Sequence, residues 1–120
     1  HLMAGELHDE LRRDGFVVGP GDLGENITTR EIDLLALATG TVLRVGSDVL
    51  LAVTGLRNPC RQLDRFRAGL MSAVLDTSPD GGVIRRAGVM AVVVHGGVVK
   101  VGDRILASTP PGPPTPLSPV

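Results

Sequence analysis

Apolar positions recur along this chain with two different periods, and the change from one to the other divides it into elements. Between Glu6 and Arg13, Leu7 and Leu11 stand four apart among charged residues and Gly15 follows, which predicts a short amphipathic helix with a glycine stop. Phe16-Val17-Val18 then reads as a short strand and Gly19-Pro20-Gly21-Asp22 as a turn. Leu23–Thr29 is a polar loop, and Glu31–Ala38 is too short and too mixed to follow either period. From Thr41 the pattern alternates. Thr41–Val45, the turn Gly46-Ser47-Asp48 and Val49–Thr54 predict a hairpin. Cys60, Leu63, Phe66, Leu70 and Val74 next recur at steps of three and four, so one helix is expected from Pro59 to about Leu75 with these residues on its buried stripe. Asp76–Gly82 is a turn-rich connector. Gly88–His95, Gly96-Gly97 and Val98–Val101 read as a second hairpin, closed by Gly102-Asp103-Arg104. Both hairpins are rich in β-branched residues and no βαβ spacing recurs, so the expected fold class is mainly β, a barrel-like domain with one or two helices.

Composition adjusts this picture at its edges. Ser108–Val120 holds six of the nine prolines, which predicts an extended, disordered tail and leaves residues 1–107 as the domain. A chain of 120 residues can bury one small core, and with Phe16 and Phe66 as its only aromatics of the Phe, Tyr and Trp class that core must rest on Val, Leu and Ile. The net charge of −1 argues against sequence-independent nucleic-acid binding. Eleven of the twelve cations are nevertheless arginine, the residue suited to forked contacts with phosphate or carboxylate. Arg57, Arg61, Arg65, Arg67, Arg85 and Arg86 crowd around the central segments, either for such a contact or as a solvated, salt-bridged surface. One cysteine leaves no internal disulfide, and no apolar run approaches the roughly 20 residues that span a bilayer. No membrane association and a cytoplasmic location are therefore expected.

That cysteine, Cys60, lies in Leu56-Arg57-Asn58-Pro59-Cys60-Arg61-Gln62-Leu63, where strand pattern gives way to helix pattern. Asn58 is a good N-cap and Pro59 suits the first helical position, so Cys60 is expected in the first turn. There the free N–H groups and the helix dipole, with Arg57 and Arg61, would stabilise a thiolate. The alternative is a small packing residue, which its place on the apolar stripe equally suits.

Four blocks together resemble a known family. Gly21-Asp22-Leu23-Gly24-Glu25-Asn26-Ile27-Thr28, then Arg57-Asn58-Pro59-Cys60, then Ala87-Gly88-Val89, and last Gly97-Val98-Val99 to Gly102-Asp103 are similar in order and spacing to the MOSC domain, over roughly Val17 to Ile105. This is the C-terminal domain of molybdenum cofactor sulfurases, found also in small stand-alone bacterial proteins. The resemblance implies a β-barrel and a link to the molybdenum cofactor, molybdopterin. It implies that Cys60 either ligates molybdenum or carries sulfur as a persulfide, with Glu25, Asn26, Arg57, Asn58 and Arg61 as cofactor-binding candidates. Stand-alone relatives begin with a further segment of several strands, and this chain starts at His1 after it, so the barrel is expected to be incomplete at its N-terminus with an open sheet edge available for self-association. The pyridoxal-phosphate domain fused to some relatives is absent, and Lys100, the only lysine, reads as a surface residue.

Other candidates are weaker. Glu25 and Asn26 follow a glycine-rich turn that could present backbone N–H groups and a side-chain amide to an anion, or Asn26 could hydrogen-bond the loop to itself. His95 precedes Gly96-Gly97 at a turn and reads as solvated, and His1 and His8 carry still less signal. Three functions follow. The first is a molybdenum-cofactor-dependent reductase of small N-hydroxylated or related substrates, the second a sulfur carrier whose Cys60 persulfide is loaded by a cysteine desulfurase, and the third a non-catalytic truncated barrel.

Overall fold

A computed structural model describes residues His1–Val120. The chain begins with strand β1 (Leu2–Ala4), helix α1 (Gly5–Arg13) and strand β2 (Ile27–Thr29), with β1 and β2 parallel and in register from Leu2↔Ile27 to Ala4↔Thr29. After a single 3₁₀ turn at Leu34–Ala36 come β3 (Val42–Val45) and β4 (Val49–Leu56). Two short helices, α2 (Gln62–Phe66) and α3 (Leu70–Ala73), lead to β5 (Leu75–Thr77), β6 (Val83–Arg85), β7 (Val89–His95) and β8 (Ile105–Ser108). Six strands form one curled half-barrel sheet in the order β2-β1-β7-β4-β3-β8, and β5 and β6 form a separate hairpin. The fold is mainly β.

Two apolar clusters lie on either side of the sheet, and the pleat assigns residues to them. Along β3 and β4, Leu43, Val45, Val49, Leu51 and Val53 are all buried at every second position, while Arg44 faces out. They form one cluster with Leu2, Leu34 and Val89. The next residue along β1, Met3, points the other way, into a second cluster with Leu7 and Leu11 of α1, Val18, Leu23, and Leu63, Leu70 and Val74 from α2 and α3. A strand of three residues thus joins both halves of the core.

Helix α1 and the β3–β4 hairpin match the periodicity. Helix α1 ends as its glycine demands: Gly15 takes φ +95°, its N–H donates to the Arg12 carbonyl at 3.1 Å, and the Phe16 N–H donates to the Leu11 carbonyl at 2.9 Å. Phe16-Val17-Val18 is therefore consumed in closing the helix and pairs with no strand. The single helix expected over Pro59–Leu75 is two. Gly69 takes φ +84° between them, and the Asp64 carboxylate of α2 accepts the Met71 N–H of α3 at 2.9 Å. The second hairpin does not form either. Strand β7 pairs with β4 along its length, Val98–Val101 belongs to no strand, and the chain returns as β8 beside β3, from Val42↔Ser108 to Val45↔Ile105. The connector at Asp76–Gly82 lies inside the β5–β6 hairpin.

The proline-rich end, expected as a disordered tail, is tied to the sheet and its neighbouring loop by backbone hydrogen bonds. The Thr39 N–H donates to the Thr115 carbonyl at 2.8 Å, the Leu56 N–H to Ser118 at 2.8 Å, and the Val120 N–H to Leu56 at 3.2 Å. Gly55 makes room for it, since a Cβ there would stand 2.4 Å from the Ser118 oxygen.

Candidate functional site

Strand β4 ends at Leu56, and the Arg57 N–H is held by the Gly88 carbonyl at 2.9 Å. This fixes the loop Arg57–Arg61 beside the start of β7. Cys60 is half-buried there, with a free thiol, in a cleft of about 160 Å³. The walls are Arg57 and Ala87 on one side, Asp22, Leu23 and Gly24 on another, and Leu63 and Phe66 at the start of the helical segment. Three of the four motif blocks therefore meet at one place.

The fourth block does not reach it. Gly97 packs on Asp48 and Val49 and Asp103 on Gly46, at the opposite end of β4, about 25 Å along a strand of this length. His95 is there too, with Nδ1 2.8 Å from the Asp48 carbonyl, and Lys100 lies in the turn in which its N–H donates to Asp103 at 2.8 Å.

Individual site residues fall differently from expectation. Cys60 precedes α2 instead of occupying its first turn: Arg61 is the N-cap, and the Cys60 carbonyl accepts the Leu63 N–H at 3.1 Å. The first-turn placement expected for Cys60 does not occur. Asn58 caps nothing, because its Oδ1 accepts Nε–H of Arg85 at 2.9 Å on the surface. Arg61 is exposed and does not line the cleft, whereas Arg57 does. Asn26 and Glu25 belong to the segment that follows the cleft wall, and neither side chain enters the cleft. Asn26 Oδ1 accepts from the His1 amino group at 3.0 Å, whose pKa is lowered by burial and then by the nearby Arg57 charge. Glu25 turns inward and is only 6 % exposed. Its Oε1 accepts the Gly21 N–H, and His8 Nε2 lies 3.4 Å away, itself 1 % exposed.

Periodicity alone does not single out His8. The available signal is its position one residue after Leu7 on the buried side of α1. Gln62 and Phe66, both lining the cleft, were likewise legible only as helix positions.

A larger cavity, about 420 Å³, lies between α1 and the Glu31–Leu35 segment. It contains no thiol, and two of its four carboxylates, Glu6 and Glu10, are engaged. Glu6 accepts the Glu31 N–H at 2.9 Å, which with its own backbone N–H holds its carboxyl below the usual range, and Glu10 pairs with Arg86.

With this geometry in view, the comparisons are direct. The sequence model of the MOSC domain matches residues 3–106, and the chain belongs to the MOSC domain family. The fold is similar to that of YiiM from Escherichia coli, with a TM-score of 0.70 and 18 % identity over 95 % of this chain and 56 % of that one. It is similar also to YiiM from Geobacillus stearothermophilus, with a TM-score of 0.68 and 22 % identity over 89 % of this chain and 52 % of that one. The chain thus spans about half the length of these solved structures. No protein of curated function matches the sequence. No helix is long and apolar enough to cross a membrane.

Proposed function

We propose that this MOSC domain binds molybdenum in its pterin cofactor through the Cys60 thiol and reduces small N-hydroxylated or related substrates. The observation that carries the reading is one soft sulfur, that of Cys60, half-buried in a cleft whose wall includes Arg57. A bare ion draws several donors from the protein. A metal already chelated by an organic cofactor needs one, so the residues fit a cofactor-borne metal. The cleft volume of about 160 Å³ suits the metal end of such a ligand, being below the roughly 300–1,000 Å³ of sites that enclose a whole small molecule.

Cys60 would hold the metal, and it must be deprotonated to do so. Arg57 lines the cleft and offers forked donors to a phosphate there, whereas Arg61 is exposed at the start of α2, outside the lining. Buried Pro59 and Leu63 keep one side of the thiol dry. When bound, the cofactor supplies the electron-transfer chemistry that no side chain of the cleft can. Pyridoxal phosphate has no place in this reading, since Lys100 sits in the distant turn with Asp103.

Protein purified from a host that makes molybdenum cofactor tests the reading by metal and sulfur analysis. Stoichiometric molybdenum, lost in Cys60→Ser, is the expected result. Sulfane sulfur on Cys60 without molybdenum would overturn it in favour of a persulfide carrier supplied by a cysteine desulfurase.

A further inference from the structure

We propose that Glu25, buried beside His8, is a positioning residue for the Cys60 cleft, and that its carboxylate fixes how far the Asp22–Gly24 wall stands from the thiol. The inference rests on the reading of that cleft as the ligand site. A carboxylate removed from water is expensive unless charge or hydrogen bonds compensate it. Glu25 has such compensation on one oxygen: Oε1 accepts the Gly21 N–H, lies 3.5 Å from the Thr28 hydroxyl and 3.4 Å from His8 Nε2. Oε2 has no partner. The carboxylate is therefore committed to the loop and to α1, with one buried oxygen left over.

The loop needs that anchor. Gly21 and Gly24 both take left-handed backbone angles, φ +87° and +89°, and no strand pairs with the residues between them. Two tight turns shape the segment, Asp22 N–H to Gly19 at 3.1 Å and Gly24 N–H to Gly21 at 3.0 Å. Leu23, buried in the cluster beneath, sets its depth. Glu25 sets its tilt, because it grips the Gly21 amide at the near end while its carboxylate lies buried against α1, 3.4 Å from a His8 Nε2 that makes no hydrogen bond of its own. A wall built from glycines and held by one buried acceptor moves when that acceptor is lost, and the opening beside Cys60 widens.

Alkylation of Cys60 by a small reagent, iodoacetamide, and by a bulky fluorescein maleimide measures that opening without any cofactor. The ratio of bulky to small rates should rise about tenfold in Glu25→Ala, the factor that corresponds to ~1.4 kcal/mol of lost anchoring. Glu25→Gln, which keeps an acceptor for Gly21, and His8→Gln, which keeps a nitrogen near Nε2, should both stay close to the wild-type ratio. An unchanged ratio in folded Glu25→Ala, or a Glu25→Gln as altered as Glu25→Ala, would overturn the proposal. Should Glu25→Ala not fold, amide exchange at Gly21 in the wild type decides: protection supports the anchor, and exchange at the rate of a free loop overturns it. If the ratio responds to Glu25 while wild-type protein never takes up molybdenum, the cofactor reading fails and the positioning role stands.

Discussion

A Cβ built on Gly88, where φ is +89°, would stand 2.1 Å from the Leu2 carbonyl oxygen. At this residue the start of β7 passes so close to β1 that only hydrogen fits, and the Gly88 carbonyl also receives the Arg57 N–H that seats the cysteine loop. Replacement by alanine must displace β1, β7 or both. Gly88→Ala should therefore lose about 2–4 kcal/mol of stability in urea denaturation, combining backbone strain with a steric clash in the core. A loss under ~1 kcal/mol would show that β1 is free to move away. At the same scale, the roles of Glu25 and Asn26 could not be read from the chain. Their position after a glycine turn pointed to the cleft, and indeed the preceding Asp22–Gly24 lines it. Glu25 turns back to the Gly21 N–H of its own loop, whereas Asn26 turns to the His1 amino group, 25 residues away in sequence.

Elements were legible where local periodicity and local partners agree. The β3–β4 hairpin and α1 satisfy themselves within a few residues, so alternation and the spacing of Leu7 and Leu11 suffice. Strands β1 and β2, three residues each, have no readable period and exist because they pair with each other across α1. Strand β7 carries a hairpin-like pattern with Val98–Val101, yet β4 offers it a longer buried edge and wins. The break between α2 and α3 is open to a test of sign. Were residues 59–75 one helix, Gly69→Ala would stabilise it by about 1 kcal/mol. With Gly69 at φ +84°, the same substitution should destabilise by about 1–2 kcal/mol in thermal or urea unfolding. Helix α1 also makes a pH prediction. Asp9 receives a forked hydrogen bond from Arg30, 2.5 and 3.1 Å, which with the Arg30 charge and a further bond from Arg12 lowers its pKa to about 2. Because the folded value lies below the unfolded one, about 3.9, the contribution is complete above that unfolded value and disappears as pH falls through about 2. The stability difference between wild type and Asp9→Asn should accordingly be constant near neutrality and shrink steadily below pH ~4.

At the scale of the whole molecule the half-barrel ends at β2 and β8 and also leaves part of an inner strand unpaired. Strand β7 pairs with β4 on one side but meets β1 only at Leu2↔Val89 on the other, and Val92, Val93 and Val94 beyond that point are all more than half exposed. Lysine, proline or an inward charge would normally protect such an edge, and Met90–Val94 has none. Sedimentation should show self-association that rises with concentration and falls in Val93→Lys, and a monomer at all concentrations in both would contradict it. The barrel-like sheet and the approach of the Gly21–Thr28 block to Cys60 were legible through the family resemblance, and the Ala87 wall was not. The anchoring of Thr115–Val120 was not, since proline content reports that a segment is extended and says nothing of Thr39 and Leu56, to which it binds.

The proposed bond from the Cys60 thiol to molybdenum is read directly by X-ray absorption at the molybdenum edge. Wild-type protein loaded in a cofactor-producing host should show one more sulfur around the metal than the same cofactor free in solution. Identical coordination shells in the two would contradict the account, because the metal would then be held without the residue on which the whole cleft is built.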